Sequence, residues 1–220
     1  MSILSREYFT NQILNVKKEV LRMGEMVEEI IDSAVVSLKT QDLDLAKKVI
    51  GDDKEINQLE LEIEKECMMI ITLQQPLASD LRTIASALKI ITDLERMADN
   101  AVNIANITLD IGKEPFIKTL VDIPNMAKIA QEMLKLSLEA FVNEDLELAE
   151  KAAMMDEKVD ILYDTVLNDV LDIIIEKKEF TKQGTKLLFA GRYLERIADH
   201  STNICERIIY MISGKLKHIN

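Results

Sequence analysis

The chain repeats itself. Leu94-Glu95-Arg96-Met97-Ala98-Asp99 returns as Leu194-Glu195-Arg196-Ile197-Ala198-Asp199 at an offset of 100, and Asn103-Ile104 returns as Asn203-Ile204. Earlier, Asp42-Leu43-Asp44-Leu45-Ala46 returns as Asp145-Leu146-Glu147-Leu148-Ala149 at an offset of 103. Asp53-Lys54-Glu55-Ile56-Asn57 falls on Asp156-Glu157-Lys158-Val159-Asp160 at that same offset of 103. Two copies at so long a period mark a duplicated domain, unlike the many short units of a solenoid. The halves are expected at 1–112 and 116–220, with the three surplus residues of the first half around the Gln74–Leu77 turn.

Each half must then be made of few, long elements, because the chain has little punctuation: 6 Gly and 3 Pro in 220 residues. Aromatic residues are 4% of the chain, so the composition is poor for strands and rich in helix formers. The class is all-α. Apolar positions Ile13, Val16, Val20, Val27, Ile30, Ile31, Ala34 and Leu38 predict a first helix from about Tyr8 to Lys39. Asp42 caps a second, from Leu43 to about Leu73 with a bend near Gly51. Pro76 breaks the chain, and Ser79 or Asp80 caps a third helix ending near Gly112. Gly112 to Pro124 reads as the linker between halves. A fourth helix runs on to about Asn143, a fifth from Leu146 to Lys178 and a sixth from Thr181 to Gly214. Short connections make neighbours antiparallel, giving two tandem three-helix bundles.

An excess of acidic residues, 39 against 27 basic, gives a net charge of −12. That field repels nucleic-acid phosphates and anionic membranes, so no nucleic acid is expected as partner. No apolar run approaches a membrane span, so no membrane insertion is expected either. The segment Met1 to Glu7 lacks the basic and apolar regions of a signal peptide. Cys67 and Cys205 stand far apart in apolar helical context, as free thiols of a reducing compartment do. The expected location is the cytoplasm.

The repeated block carries the chemistry. Glu95, Asp99 and Asn103 are spaced i, i+4, i+8 and share one helix face, as do Glu195, Asp199 and Asn203. Like charges at that spacing cost a helix a few tenths of a kcal/mol, and the chain accepts the cost twice. The second helix holds Asp53, Asn57, Glu60 and Glu64 on one face, and the fifth holds Asp156 and Asp160, with Tyr163 where the first half has Glu60. If these faces meet, their oxygens suit hard or borderline cations such as Mg²⁺, Mn²⁺ or iron. The plainer alternative is a solvated face, with Arg96 and Arg196 three residues before Asp99 and Asp199 to offset them. Both readings stand at this level.

Other chemistries find no residues. His200 and His218 are not preceded at −3 by Glu, so the di-iron Glu-x-x-His motif is absent. No phosphate-cradling glycine loop and no nucleophile–base pair occurs, and no catalytic residue is assigned. His200, next to the second stripe, reads as a surface or capping residue before it reads as a ligand.

The two Leu-Glu-Arg-[Met/Ile]-Ala-Asp blocks, the Asp-Leu-[Asp/Glu]-Leu-Ala starts, Gln75-Pro76-Leu77-Ala78-Ser79-Asp80-Leu81-Arg82 and Met23-Gly24-Glu25-Met26-Val27-Glu28 together resemble the PhoU family. The resemblance covers essentially the whole chain. It implies two PhoU-type three-helix repeats in a cytoplasmic homodimer that regulates phosphate uptake and represses the phosphate-starvation response. The implied partners are a phosphate-sensing histidine kinase and the ATPase of the phosphate ABC transporter. It also implies multinuclear iron or zinc clusters on Glu/Asp-x-x-x-Asp motifs, carried here by Glu95 with Asp99, Glu195 with Asp199, and Asp156 with Asp160. Asp53 with Asn57 departs in having an amide second, and Ala98 and Ala198 stand where many members have Gly. Mg or Mn, or no metal, are the alternatives left by the donor set. A metal store or metal-dependent enzyme on the same stripes is the competing function.

Overall fold

The structure, a computed structural model, describes residues 3–215, so His218 lies outside the described residues. Seven α-helices and no strand occur among them: α1 (Ile3–Thr40), α2 (Leu43–Gln74), α3 (Ser79–Ile111), α4 (Asp122–Asn143), α5 (Leu146–Ala153), α6 (Asp156–Glu176) and α7 (Thr181–Ser213). In the first half α1, α2 and α3 pack on one another; in the second, α4 packs with α5, α6 and α7. The halves meet most extensively along α3 and α7, with α1 against α4 as a second seam. One continuous apolar core runs through both. Fully buried Ala98, Ala101 and Ala198 keep α3 and α7 thin enough to sit at its centre.

The helix starts follow from local chemistry. Asp42 accepts the backbone N–H groups of Asp44 (3.1 Å) and Leu45 (3.0 Å), and its repeat Asp145 accepts that of Leu148 (3.0 Å). The expected cap of α3 is corrected: Ser79 and Asp80 lie inside its first turn, and Ala78, at φ 49°, precedes it without a side-chain bond. Asp80 there faces the positive end of the helix dipole. Pro124 does not end the linker, because α4 already starts at Asp122; a proline in the first turn removes only an N–H that has no partner within the helix.

The second helices of the two halves differ. α2 passes Gly51 as an unbroken helix. The second-half counterpart is the one interrupted, at Met154-Met155, where Met155 N–H bonds Ala152 O (3.1 Å) in a tighter i→i+3 turn. The fifth helix thus becomes α5 and α6 and ends at Glu176 before a 3₁₀ turn, Lys178–Phe180. Buried Ala149, Ala152 and Ala153 continue into Val159, Val166 and Val170 at helical spacing, so the apolar seam crosses the break without a phase shift.

Candidate functional site

Residue pairs far apart in sequence fix the helix directions. Asn15 on α1 bonds Glu66 on α2 (3.0 Å), and Asp53 and Glu60 on α2 lie within the fields of Asp99 and Arg96 on α3 respectively. α2 therefore descends as α3 rises, and its acidic face meets the α3 stripe. Asn57 Nδ2 donates to Asp53 Oδ2 (2.9 Å). Burial raises the Asp53 carboxyl, and Asp99 adds to the shift. Burial raises Glu60 with help from Glu64, and raises Glu95 with help from Asp99, Glu60 and Asp53. Asp53, Asn57, Glu95 and Asp99 are thus brought into one electrostatic cluster.

The second half assembles the equivalent group. Glu195 on α7 feels Asp199 beside it and Asp160 and Asp156 from α6. With its side chain 12% exposed, burial and these charges push its carboxyl up to about 7, against the pull of Arg192. Arg192 donates to Glu195 Oε1 one turn below. Burial also raises Asp199, most strongly countered by Arg192. Tyr163, at the Glu60 position, packs its ring where a side chain on Gly191 would stand, 3.1 Å from that Cβ position. The second cluster so exchanges one carboxylate for an aromatic wall.

The asparagines divide. Asn103 lines a cleft between α3 and α7 together with Glu95 and Asp99. Asn203 Nδ2 donates to Asp93 Oδ1 (3.4 Å) across the α3–α7 seam. His200 is neither a surface nor a capping residue; it is buried, 9% exposed, with Nδ1 2.9 Å from Asp93 Oδ1. Asp93 and Arg192 are the residues missed. Arg192 was legible as an i, i+3 partner of Glu195, whereas Asp93 needs the helix pairing to be known. Arg96 and Arg196 pair with no carboxylate among the described residues, although their fields lower Glu95 and Asp199.

These residues fit a cation by the chemistry of their donors. Asp53 Oδ1, Asn57 Oδ1 and Glu195 Oε2 are buried acceptor oxygens with no hydrogen-bond partner among the described residues. Such oxygens are costly unless something positive satisfies them. The set is all oxygen, which suits Mg²⁺, Mn²⁺ or iron better than zinc's usual nitrogen and sulfur ligands. Among the described residues no three His, Cys, Asp or Glu groups are gathered as a ready-made cage.

The PhoU domain family matches residues 20–108 and again 123–208. The chain is 38% identical over 218 residues to the phosphate-specific transport system accessory protein PhoU homolog of Clostridium acetobutylicum, covering 99% of this chain and 100% of that one. Identity to the accessory protein PhoU of Escherichia coli is 33% over 212 residues, covering 96% and 88% of the two chains. The crystal structure of PhoU from Pseudomonas aeruginosa superposes with a TM-score of 0.90 at 35% identity, over 94% of this chain and all of that one. That of the phosphate transport system regulatory protein PhoU from Streptococcus pneumoniae gives 0.89 at 30%, over 95% and 99%.

Proposed function

This chain belongs to the PhoU family, and from that premise we propose that it is an accessory protein of a phosphate-specific transport system. The observation that carries the reading is the near-full-length identity to such accessory proteins, together with the same family domain in each half. No helix among the described residues is long and apolar enough to cross a membrane. We place the protein in the cytoplasm, as a homodimer without enzymatic activity of its own. It holds back the phosphate-starvation response by contacting a sensor histidine kinase and the ATPase of the phosphate ABC transporter. Deletion tests this: transporter expression in phosphate-rich medium should rise, and unchanged expression would refute it. Pull-down with the ATPase and the kinase, with and without metal, tests the contacts.

The two carboxylate clusters bind divalent cations as a structural or signalling element. Glu95, Asp99, Asp53 and Asn57 form one site; Glu195, Asp199, Asp156 and Asp160 form the other. Support comes from the buried acceptor oxygens of Asp53, Asn57 and Glu195. A bound cation supplies the positive charge that these oxygens lack. Elemental analysis of protein purified under metal-replete conditions should find metal that is lost from Glu95→Ala/Asp99→Ala and Glu195→Ala/Asp199→Ala variants. Metal-free wild-type protein would refute the sites.

A further inference from the structure

α3 and α7 are tied together at three places: Arg82 Nε to Met211 O (3.2 Å), Ser86 Oγ to Arg207 O (3.3 Å), and Asp93 to His200. The ties run up one helix as they run down the other. In that antiparallel register Arg96 and its repeat equivalent Arg196 come together at the middle of the pair. They line one open cleft of about 440 Å³. Arg22 is engaged with Glu19, Arg82 with Met211 O and Arg192 with Glu195. Among the described residues, the guanidinium groups of Arg96 and Arg196 have no ion-pair or hydrogen-bond partner.

Two uncommitted guanidiniums in one cleft are a fork for a tetrahedral oxyanion, since their planar N–H pairs match phosphate geometry. His200 and Asn100, both at least nine-tenths buried, line the same cleft. Asp93 engages the His200 ring through Nδ1. Glu95 and Asp99 also line the cleft, and alone they would repel an anion. A divalent cation on those carboxylates removes the repulsion and leaves the two guanidiniums to balance a dianion. We infer that the α3–α7 cleft binds inorganic phosphate on Arg96 and Arg196, as a partner of the cation held by Glu95 and Asp99. This rests, for the cation, on the reading of the acidic clusters given above.

Because coupling between two ligands is reciprocal, phosphate must tighten the cation by the factor by which the cation tightens phosphate. Calorimetric titration of Mn²⁺ into the full chain, with and without inorganic phosphate, reads that factor, expected at about tenfold or more. An Arg96→Gln/Arg196→Gln variant, checked for native helicity, keeps Mn²⁺ binding and loses the coupling. Arg96→Lys/Arg196→Lys, a charge without the fork, keeps part of it. Sulfate competing with phosphate reports a general oxyanion grip. Mn²⁺ binding that ignores phosphate, or coupling unchanged in the Gln variant, overturns the inference and leaves the cation reading intact. If Mn²⁺ does not bind, the cation reading fails, and phosphate titrated into cation-free protein decides the rest. Saturable binding lost in the Gln variant upholds the arginine grip, and its absence overturns it.

Discussion

His200 Nδ1 lies 2.9 Å from Asp93 Oδ1, and this bond crosses the seam between the two halves of the molecule. The two side chains are only 11% and 16% exposed, so neither can exchange its partner for bulk water. Asp93 also accepts from Asn203 Nδ2. Truncating Asp93 leaves a buried imidazole N–H without an acceptor, a cost of about 1–3 kcal/mol. Asp93→Ala is therefore expected to lower the midpoint of thermal unfolding by several degrees, and Asp93→Asn, which keeps an acceptor oxygen, by less. A double-mutant cycle with His200→Ala isolates the pair. Additive losses would show that the contact carries no coupling.

The second cluster makes stability depend on pH in a direction opposite to that of an ordinary salt bridge. Glu195 titrates at about 7 in the folded protein, above its ordinary value of 4.5. The folded chain thus holds this proton more tightly than the unfolded one. Its contribution is complete below the unfolded value and is lost as pH rises through about 7. Asp53, Glu60, Glu95 and Asp199 are raised as well and act in the same sense. Cation-free protein should unfold at a lower temperature at about pH 8 than at about pH 5, and Glu195→Gln should flatten that slope. A variant that keeps the wild-type slope would rule Glu195 out as its source.

Two glycines test the packing from opposite sides. A methyl group added at Gly51 meets nothing within 4 Å, so Gly51→Ala gains helix propensity alone. It should stabilise the protein by about 0.5–1 kcal/mol. At Gly184 the same methyl would stand 2.7 Å and 2.9 Å from Ile174 and 3.1 Å from Val170, where α7 crosses α6. Overpacking there is expected to cost about 1–3 kcal/mol. Denaturant unfolding of the two variants should give opposite signs. A stabilised Gly184→Ala would mean that α6 moves aside freely.

Much of this was legible in the residues. The duplication, the seam of Ile84, Ile91, Leu94 and Ala98 and the Asp42 cap are local patterns, and the helices follow them. The interruption at Met154-Met155 was not legible, because the buried face keeps its phase across it. Gly51, the residue that looks like a place for a bend, lies within the continuous helix α2. The acidic stripes could be seen as stripes, yet the bond from Asn203 to Asp93 could not be seen until α3 was paired with α7. Arg96 and Arg196 look like partners of the acids that follow them. Only the packing of α3 on α7 shows them sharing a cleft.

The duplicated caps give the last prediction. Asp42 and Asp145 are repeat equivalents, but Asp42 accepts two backbone N–H groups and Asp145 accepts one. Each also places a negative charge at the positive end of its helix. Asp42→Ala is expected to destabilise by about 1–2 kcal/mol and Asp145→Ala by about 0.5–1 kcal/mol. The sites lie at the starts of α2 and α5, far apart in sequence and in separate halves, so the losses should add in the double variant. Chemical denaturation of the three proteins checks both statements. An Asp145→Ala loss larger than that of Asp42→Ala would show that the short helix α5, leading into the Met154-Met155 interruption, depends on its cap more than the long helix does.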